Sequence, residues 1–261
     1  MRTVVLTGAT SGIGLAAAAL LAEPSTHLIL HGTRPAATVE AALGSLRERA
    51  GEFHYLSADF GDLASVRALA GAIEQFVPID VLINNAGIPG PPEQRQSAQG
   101  VELTFQVNYL GGALLTDLLL PGMPAGGRIV NTASATHYSA RLDLDDLDYM
   151  HHRYSAYDAY ARSKLAVVTA SRSFAQRIPQ SMISVHPGVI ATKLLRSMFG
   201  SGGASPDRGG ANLVAAVDAD VPSGTYLDER MPASPNPLAD DPRFQARLRE
   251  VTSTLLGREL L

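Results

Sequence analysis

The sequence predicts an α/β protein with one doubly wound parallel sheet and helices on both of its faces. Short apolar segments alternate with longer helical segments through most of the 261 residues. The short segments are apolar almost throughout, which is typical of strands that are covered on both faces. No linker interrupts the alternation, so residues 1–261 are expected to form a single domain.

The first half of the chain alternates strands and helices in strict order. Its predicted strands are rich in Val, Ile and Leu and occupy 3–8, 27–32, 53–59 and 79–87. Its predicted helices are rich in Ala and Leu, which favour helix, and occupy 12–23, 36–50 and 62–76. Asp62 is expected to cap the third of these helices. Each strand–helix–strand unit predicts a pair of parallel strands, because parallel strands need a long crossover connection.

The second half continues this pattern with irregular segments between the elements. Helices are predicted at 101–120, 155–178 and near 241–256, and strands at 127–134 and 181–188. The polar and aromatic segment 136–154 is expected to be irregular. The segment 199–210 is rich in Gly, Ser and Pro, and we expect it to be a mobile loop.

Composition excludes several classes of protein. A net charge of −4 and a pI of about 6.0 argue against a nucleic-acid partner. The absence of cysteine excludes disulfides and thiolate chemistry, and it suits a reducing compartment. The N-terminus lacks the pattern of a signal peptide, and no apolar run reaches the roughly 20 residues that span a bilayer. We therefore expect a cytoplasmic protein that is not a membrane protein.

A glycine-rich turn joins the first predicted strand to the first helix. In "TGATSGIG" (7–14), Gly8, Gly12 and Gly14 allow the backbone to approach a phosphate group closely. The following helix offers free N–H groups and the positive end of its dipole to that anion. The spacing G-x-x-x-G-x-G is also compatible with an ordinary glycine turn. Its place at the first strand–helix junction of a parallel sheet favours the nucleotide-binding interpretation.

The end of the second strand would distinguish NAD from NADP if the glycine turn binds a nicotinamide dinucleotide. An acidic residue there would accept hydrogen bonds from the ribose of NAD, whereas an arginine would pair with the 2′-phosphate of NADP. This chain has Thr33 and Arg34, with no acid before Glu40. The sequence therefore favours NADP(H) over NAD(H), and the alternative is that Arg34 is simply exposed in a loop.

The segment "YARSK" places Tyr160 and Lys164 one turn apart on one face of a predicted helix. A phenol has an ordinary pKa of about 10, and a neighbouring cation lowers it. Ser134 ends a predicted strand, at the edge of the sheet where such folds bind ligands. Asn108 lies inside a predicted helix, where asparagine is unfavourable. Taken one at a time, Ser134 and Asn108 fit structural roles better, and Tyr160 and Lys164 fit an exposed helix face better.

Taken together, the motifs resemble the short-chain dehydrogenase/reductase family, whose members have a Rossmann fold, over about the first 195 residues. The resemblance rests on "TGATSGIG", "NNAG" (84–87), Asn108, Ser134, Y-x-x-x-K (160–164) and "PGVIAT" (187–192). "RIVNTASATH" and the 26-residue separation of Ser134 from Tyr160 are similar to the retinol dehydrogenase and protochlorophyllide reductase branch. The resemblance implies that 136–154 is an insertion beside the active site and that 193–261 forms elements on the substrate side.

The resemblance implies a role for each of the four candidate catalytic residues. Tyr160 would donate the proton, and Ser134 would hold the substrate oxygen. Lys164 would lower the pKa of Tyr160 and bind the nicotinamide ribose. Asn108 would help to organise a water that links the lysine to solvent.

The resemblance also implies a set of residues that hold the cofactor. They come from the loops that follow the predicted strands, together with two catalytic residues: Gly8, Thr10, Ser11, Gly12, Ile13, Gly14, Thr33, Arg34, Asp59, Asn85, Ala86, Gly87, Tyr160, Lys164, Pro187, Gly188, Ile190 and Thr192.

The implied function is NADP(H)-dependent interconversion of a carbonyl and an alcohol, with reduction of a hydrophobic ketone or aldehyde as the expected direction. The alternative is a catalytically silent NADP(H)-binding sensor or scaffold.

The histidines and aspartates of 136–154 match no recognised ligand spacing, so no metal site is predicted. Family members often form dimers or tetramers, so a homo-oligomer is an open expectation. The expected apolar pocket lining is Leu142, Leu144, Tyr154, Leu194, Met198 and Phe199.

Overall fold

The computed structural model describes residues 1–260 and contains one eight-stranded sheet in the order β3-β2-β1-β4-β5-β6-β7-β8. The strands are β1 Arg2–Leu6, β2 Thr26–Gly32, β3 Glu52–Ser57, β4 Val81–Asn84, β5 Arg128–Thr132, β6 Ser181–His186, β7 Tyr226–Asp228 and β8 Met231–Ala233. Neighbouring strands pair in parallel from β3 to β7, and β8 alone pairs antiparallel, with β7. The predicted parallel sheet is confirmed.

Helices cover both faces of the sheet. In the described part of the chain they are α1 Gly12–Leu21, α2 Ala36–Arg49, α3 Leu63–Ile73, α4 Leu103–Phe105, α5 Gly111–Leu119, α6 Ala156–Ala175, α7 Lys193–Phe199, α8 Pro206–Val217 and α9 Pro242–Leu256. One apolar core lies between the sheet and α3, α5, α6 and α9, and a second lies between the sheet and α1, α2 and α8. Alternate residues of one strand enter different cores, as Val5 and Leu6 do. The doubly wound fold class is confirmed.

The strand order reverses between β1 and β4. The chain runs outward from β1 to β3, returns to β4 on the other side of β1, and then continues outward to β7. A crevice forms at such a switch point, beyond the carboxyl ends of the strands, because the loops diverge there. This crevice is where the predicted site residues are expected to meet.

The predicted helix at 101–120 is confirmed with an internal irregularity. Between α4 and α5 the chain makes one π-helical turn, Gln106–Leu110, so the helix continues but widens by one residue. Turns of this kind are common at functional sites. Asn108, which is unfavourable in a regular helix, lies in the middle of this turn.

The expectation of a loop over the whole of 199–210 was wrong. Helix α8 begins at Pro206, and the Ser205 side chain caps it by accepting a hydrogen bond from the N–H of Arg208. Gly209 and Gly210 lie inside this helix and allow it to pack closely on α1. A Cβ atom at Gly210 would lie 2.7 Å from the Ala16 side chain. None of α7, α8, β7 or β8 was predicted from the sequence.

Among residues 1–260, no helix has both the length and the apolar character needed to cross a membrane.

Candidate active site

A cleft of about 1180 Å³ opens at the carboxyl ends of the central strands. The loops after β1 to β6 line it, which is where parallel strands of a switched sheet bring their ligand-binding residues together. The predicted residues in its wall are Gly8, Thr10, Ser11, Gly12, Ile13, Gly14, Thr33, Asp59, Asn85, Ala86, Gly87, Ser134, Tyr160, Lys164, Pro187, Gly188, Ile190 and Thr192. Two predicted residues, Arg34 and Asn108, lie next to the cleft without lining it.

The glycine turn after β1 has no room for larger side chains. Gly8 and Gly12 have positive φ angles of 67° and 55°, which other residues adopt at a cost. A Cβ atom on Gly14 would lie 2.1 Å from the carbonyl oxygen of Gly8. The Ser11 side chain, at the start of α1, caps none of the helix N–H groups. The helix N-terminus therefore faces the cleft with donors available to a phosphate, and this geometry fits a dinucleotide.

The loop after β6 faces the glycine turn across the cleft. The Thr192 hydroxyl caps α7 by accepting from the N–H of Leu195 at 3.2 Å. The methyl group of Thr192 would lie 3.2 Å from a Cβ atom on Gly12. Gly188 has a φ angle of 99°, so this loop also contains a turn that favours glycine.

His31 connects the loops after β1, β2 and β3. Its Nδ1 accepts a hydrogen bond from the N–H of Gly8 at 3.4 Å, so Nε2 carries the proton and donates to the Ala58 carbonyl at 3.1 Å. Its ring stacks on Phe60 with centroids 4.6 Å apart. Burial lowers the pKa of His31 to about 4, so the imidazole is neutral at pH 7. The neutral ring supports the phosphate loop, a role that the sequence did not indicate.

Arg34 lies beside the glycine turn. Its guanidinium donates to the Thr10 carbonyl at 3.5 Å and is otherwise exposed to solvent. The Tyr55 hydroxyl donates to the Arg34 carbonyl at 2.6 Å and holds this part of the loop. A cation at this place, with Thr33 in the cleft wall, suits an anion near the end of β2.

Asp59 lies two residues beyond β3 and stabilises the loop to which it belongs. Its carboxylate accepts from the N–H of Gly61 at 2.8 Å, and its N–H donates to Ser65 at 2.9 Å. Asp59 therefore fixes the geometry of its loop. It also lines the cleft, where a ligand could contact it.

Ser134, Tyr160 and Lys164 lie close together in the cleft wall. Tyr160 and Lys164 come from α6, whereas Ser134 follows β5. The Lys164 ammonium lies 5.6 Å from the centre of the Tyr160 ring and donates to the Thr132 carbonyl at 2.8 Å. Both side chains are almost fully buried, so the expectation of a merely exposed helix pair is excluded.

Burial controls the proton on Tyr160. It raises the pKa of the phenol to about 12, while the interaction with the Ser134 hydroxyl lowers it. The pKa of Tyr160 is therefore raised in the protein alone, whereas the sequence led us to expect that Lys164 would lower it. Burial also lowers the pKa of Lys164 to about 8. At pH 7 Tyr160 therefore keeps its proton, and most of Lys164 is charged.

Asn108 lies behind the cleft wall. Its side-chain oxygen accepts from the N–H of Ile88 at 2.8 Å, and its amide donates to the Ile88 carbonyl and to Ser163, each at 3.0 Å. A Cβ atom on Gly87 would lie 3.2 Å from the same side-chain oxygen. The Asn108 carboxamide thus joins the loop after β4 to the helix that carries Tyr160.

His137 and Asn236 support Ser134, and sequence reasoning gave neither a role. The His137 ring is fully buried, and its Nδ1–H donates to the Ser134 carbonyl at 2.7 Å. Its Nε2 accepts from the N–H of Asn236 at 3.2 Å. The Asn236 amide also donates to the carbonyls of His137, Tyr138 and Ala140. The loop after β8, through Asn236, therefore supports His137, and His137 holds the backbone of Ser134.

The expected pocket lining is correct in part. Leu194 and Phe199 lie in the cleft wall, and Leu195 joins them. Leu142 and Leu144 instead pack in the apolar core that contains α6. The Tyr154 hydroxyl donates a hydrogen bond to the Pro91 carbonyl at 2.8 Å. Met198 is not part of the wall. The 136–154 segment therefore folds away from the cleft more than we expected.

The chain is similar to known proteins along most of its length. A family profile described as "short chain dehydrogenase" matches residues 2–145. Human retinol dehydrogenase 13 is 34% identical, over 99% of this chain and 85% of the relative. A protein of Streptomyces sp. (strain C5), provisionally named daunorubicin C-13 ketoreductase DnrU, is 36% identical over 98% and 93%. The crystal structure of an uncharacterised protein from Mycobacterium Paratuberculosis superposes with a TM-score of 0.85 at 31% identity, over 100% of this chain and 95% of that one.

Proposed function

The chain belongs to the short-chain dehydrogenase family, and from that premise we propose that it is an NADP(H)-dependent reductase of hydrophobic ketones or aldehydes. The family identifies an oxidoreductase that interconverts carbonyls and alcohols with a nicotinamide cofactor. The cofactor preference, the direction and the substrate class are our proposal. The observation that carries it is the convergence of Ser134, Tyr160 and Lys164 on one wall of a cleft that also contains the glycine turn.

The residues of this chain would handle the substrate oxygen and its proton. A bound nicotinamide cofactor supplies the hydride that the carbonyl carbon requires. The Ser134 hydroxyl donates a hydrogen bond to the carbonyl oxygen and orients it. Tyr160, which burial keeps protonated, donates its proton to that oxygen. The Lys164 ammonium, held by the Thr132 carbonyl, stabilises the phenolate that remains until a solvent proton replaces the one transferred.

The proposed preference for NADP(H) rests on Arg34. Its guanidinium lies beside the phosphate loop, and no acidic side chain occupies the adjoining position, Thr33. A guanidinium pairs with the 2′-phosphate through two parallel hydrogen bonds, whereas an acid would repel that group.

The proposed substrate class rests on the apolar part of the cleft wall. Leu194, Leu195 and Phe199 come from α7 and line the cleft. The Phe199 ring lies 6.0 Å from the ring of Tyr157, one turn before Tyr160 on α6. The names of the two relatives compared above refer to an alcohol, retinol, and to a ketone group of daunorubicin, which agrees with a carbonyl or alcohol substrate. We further propose that residues 1–261 form a single domain and that the protein is cytoplasmic. Within that domain, 193–261 would form the elements on the substrate side of the cleft.

The test is NADPH oxidation by the purified full chain against ketones and aldehydes graded by apolar area, with acetone and acetaldehyde as small controls. The proposal predicts kcat/KM values that rise with apolar area, and rates with NADPH above those with NADH. If every carbonyl is left unreduced while NADPH still binds with a measurable Kd, the alternative of a silent NADP(H)-binding sensor is correct.

A further inference from the structure

A cluster of two histidines and one glutamate lies at the amino-terminal ends of the strands, whereas the cleft lies at their carboxyl ends. His27 is the second residue of β2, and Glu52 and His54 lie at the start of β3. His27 pairs directly with Glu52 in the parallel ladder, and His54 follows two residues later on the same face. The three side chains therefore project together from the amino-terminal ends of two neighbouring strands.

The three possible ligand atoms are close to one another. Each lies within 4.8 Å of the other two, and Nε2 of His27 is 3.7 Å from the Glu52 carboxylate. Three points no more than 4.8 Å apart lie within about 2.8 Å (4.8 Å divided by the square root of three) of a common centre. Zinc bonds to imidazole and carboxylate are about 2.0–2.2 Å long, so each ligand needs to move by less than about 1 Å.

The second observation is an unsatisfied nitrogen. His27 is only 7% exposed, and its buried Nε2 has no hydrogen-bond partner among residues 1–260. A buried polar atom without a partner costs about 1–3 kcal/mol, so such atoms are uncommon in a stable fold.

We propose that His27, Glu52 and His54 bind one divalent transition-metal ion, with Zn²⁺ as the best match. Two imidazoles and one carboxylate form a donor set that zinc uses in proteins, with solvent as the fourth ligand. The Glu52 side chain is 54% exposed and leaves an entry path for the ion. Phe76 packs on both imidazoles, with ring centroids 4.3 Å from His54 and 5.3 Å from His27, and restricts their orientation.

The ion would stabilise the edge of the sheet and would take no part in hydride transfer. β3 is the outermost strand and is paired on one side only, with β2. A metal that binds both strands holds that edge in place, because it binds the folded chain alone. The proposal is independent of the proposed reductase activity, since the cluster lies at the other end of the strands.

The test is calorimetric titration of the chelator-treated, untagged full chain with ZnCl₂, together with the visible absorption of bound Co²⁺. Two variants each remove one ligand: Glu52→Gln, which keeps the shape, and His54→Phe, which keeps the stack on Phe76. The control is His151→Gln, an exposed histidine outside the cluster. Far-UV circular dichroism of each variant verifies that it has folded.

The proposal predicts one Zn²⁺ per chain with a Kd in the micromolar range or below. The loss of an outer-shell partner of a metal site weakens binding about 10–100-fold, so the loss of a ligand in either variant is expected to weaken it at least tenfold. A hundredfold excess over Kd is expected to raise the Tm by about 5 °C in the wild type and the control, but not in the two variants. Binding only in the millimolar range, or equal binding by the wild type and both folded variants, overturns the proposal.

Discussion

The buried histidine beneath the phosphate loop makes the stability of the protein depend on pH. His31 accepts a hydrogen bond from the N–H of Gly8 and donates one to the carbonyl of Ala58. The bond from Gly8 requires the neutral ring, whereas a protonated ring would still donate to Ala58. The substitution His31→Phe keeps the ring stack on Phe60 and removes the titrating group. It also leaves two backbone groups without partners, so we expect the variant to be less stable than the wild type at pH 7.5 by about 1–3 kcal/mol.

The magnitude of the pH effect follows from the pKa of His31. Its value is about 4 in the folded chain and about 6.5 in the unfolded chain. Since the folded pKa is the lower one, the stabilisation is fully present above pH 6.5 and is lost as the pH falls toward 4. Between pH 6.5 and pH 5 only the unfolded chain binds the proton, and 1.5 pH units at 1.36 kcal/mol each give about 2 kcal/mol.

Urea unfolding of both proteins at pH 7.5, 6.0 and 5.0 measures this effect. The chain has no tryptophan, so far-UV circular dichroism or tyrosine fluorescence reports the transition. Other buried histidines, such as His137 and His186, also have lowered pKa values, but their contributions cancel in the difference between the two proteins. We expect the gap in unfolding free energy to narrow by about 2 kcal/mol from pH 7.5 to pH 5.0. A gap that stays constant within about 0.5 kcal/mol refutes the reasoning.

Three further substitutions test the cleft. Arg34→Ala is expected to reduce the preference for NADPH over NADH at least tenfold in fluorescence titrations, and an unchanged ratio contradicts the assignment. Gly14→Ala places a Cβ atom 2.1 Å from the Gly8 carbonyl, so we expect it to lower the unfolding free energy by about 1–3 kcal/mol and to weaken NADPH binding. Wild-type values of Tm and Kd would show that the turn tolerates the atom. His137→Phe removes the hydrogen bond to the Ser134 carbonyl, so we expect kcat to fall about tenfold while NADPH affinity is unchanged. A wild-type kcat would exclude a role for His137 in positioning Ser134.

The first half of the fold could be predicted because each local signal agreed with the global one. The strands are apolar and short, the helices begin at favourable residues, and Asp62 caps α3 as expected by accepting from the N–H of Ala64 at 3.0 Å. A crossover helix between two strands then leaves few topologies open. The strand order around β1 and β4 follows the common doubly wound pattern.

The second half was harder because tertiary packing overrides local preference there. Gly209 and Gly210 indicated a loop, since glycine disfavours helix by about 1 kcal/mol. In the structure these glycines are needed for the close packing of α8 on α1 and on Ile190. The pair Ser205 and Pro206 was the available signal, because serine at the cap and proline in the first turn are typical of a helix start.

The candidate site could be predicted at the level of the loops but not of the contacts. Residues that follow parallel strands meet at the carboxyl ends of those strands, so their shared location could be predicted from the sequence. Most of the predicted residues do line the cleft. The link from His137 to Asn236 joins positions 99 residues apart, and no local pattern indicates it. The raised pKa of Tyr160 likewise depends on burial, which the spacing of Tyr160 and Lys164 does not reveal.

The central claim is that Tyr160 supplies the proton to the substrate oxygen. The most direct measurement is stopped-flow NADPH oxidation in a single turnover, for the wild type and Tyr160→Phe, with a carbonyl that the wild type reduces. The variant keeps the buried ring, so NADPH should bind with an unchanged Kd, while the oxidation rate falls at least about 100-fold, as expected for the loss of a general acid. A Tyr160→Phe protein that oxidises NADPH at the wild-type rate would contradict the account.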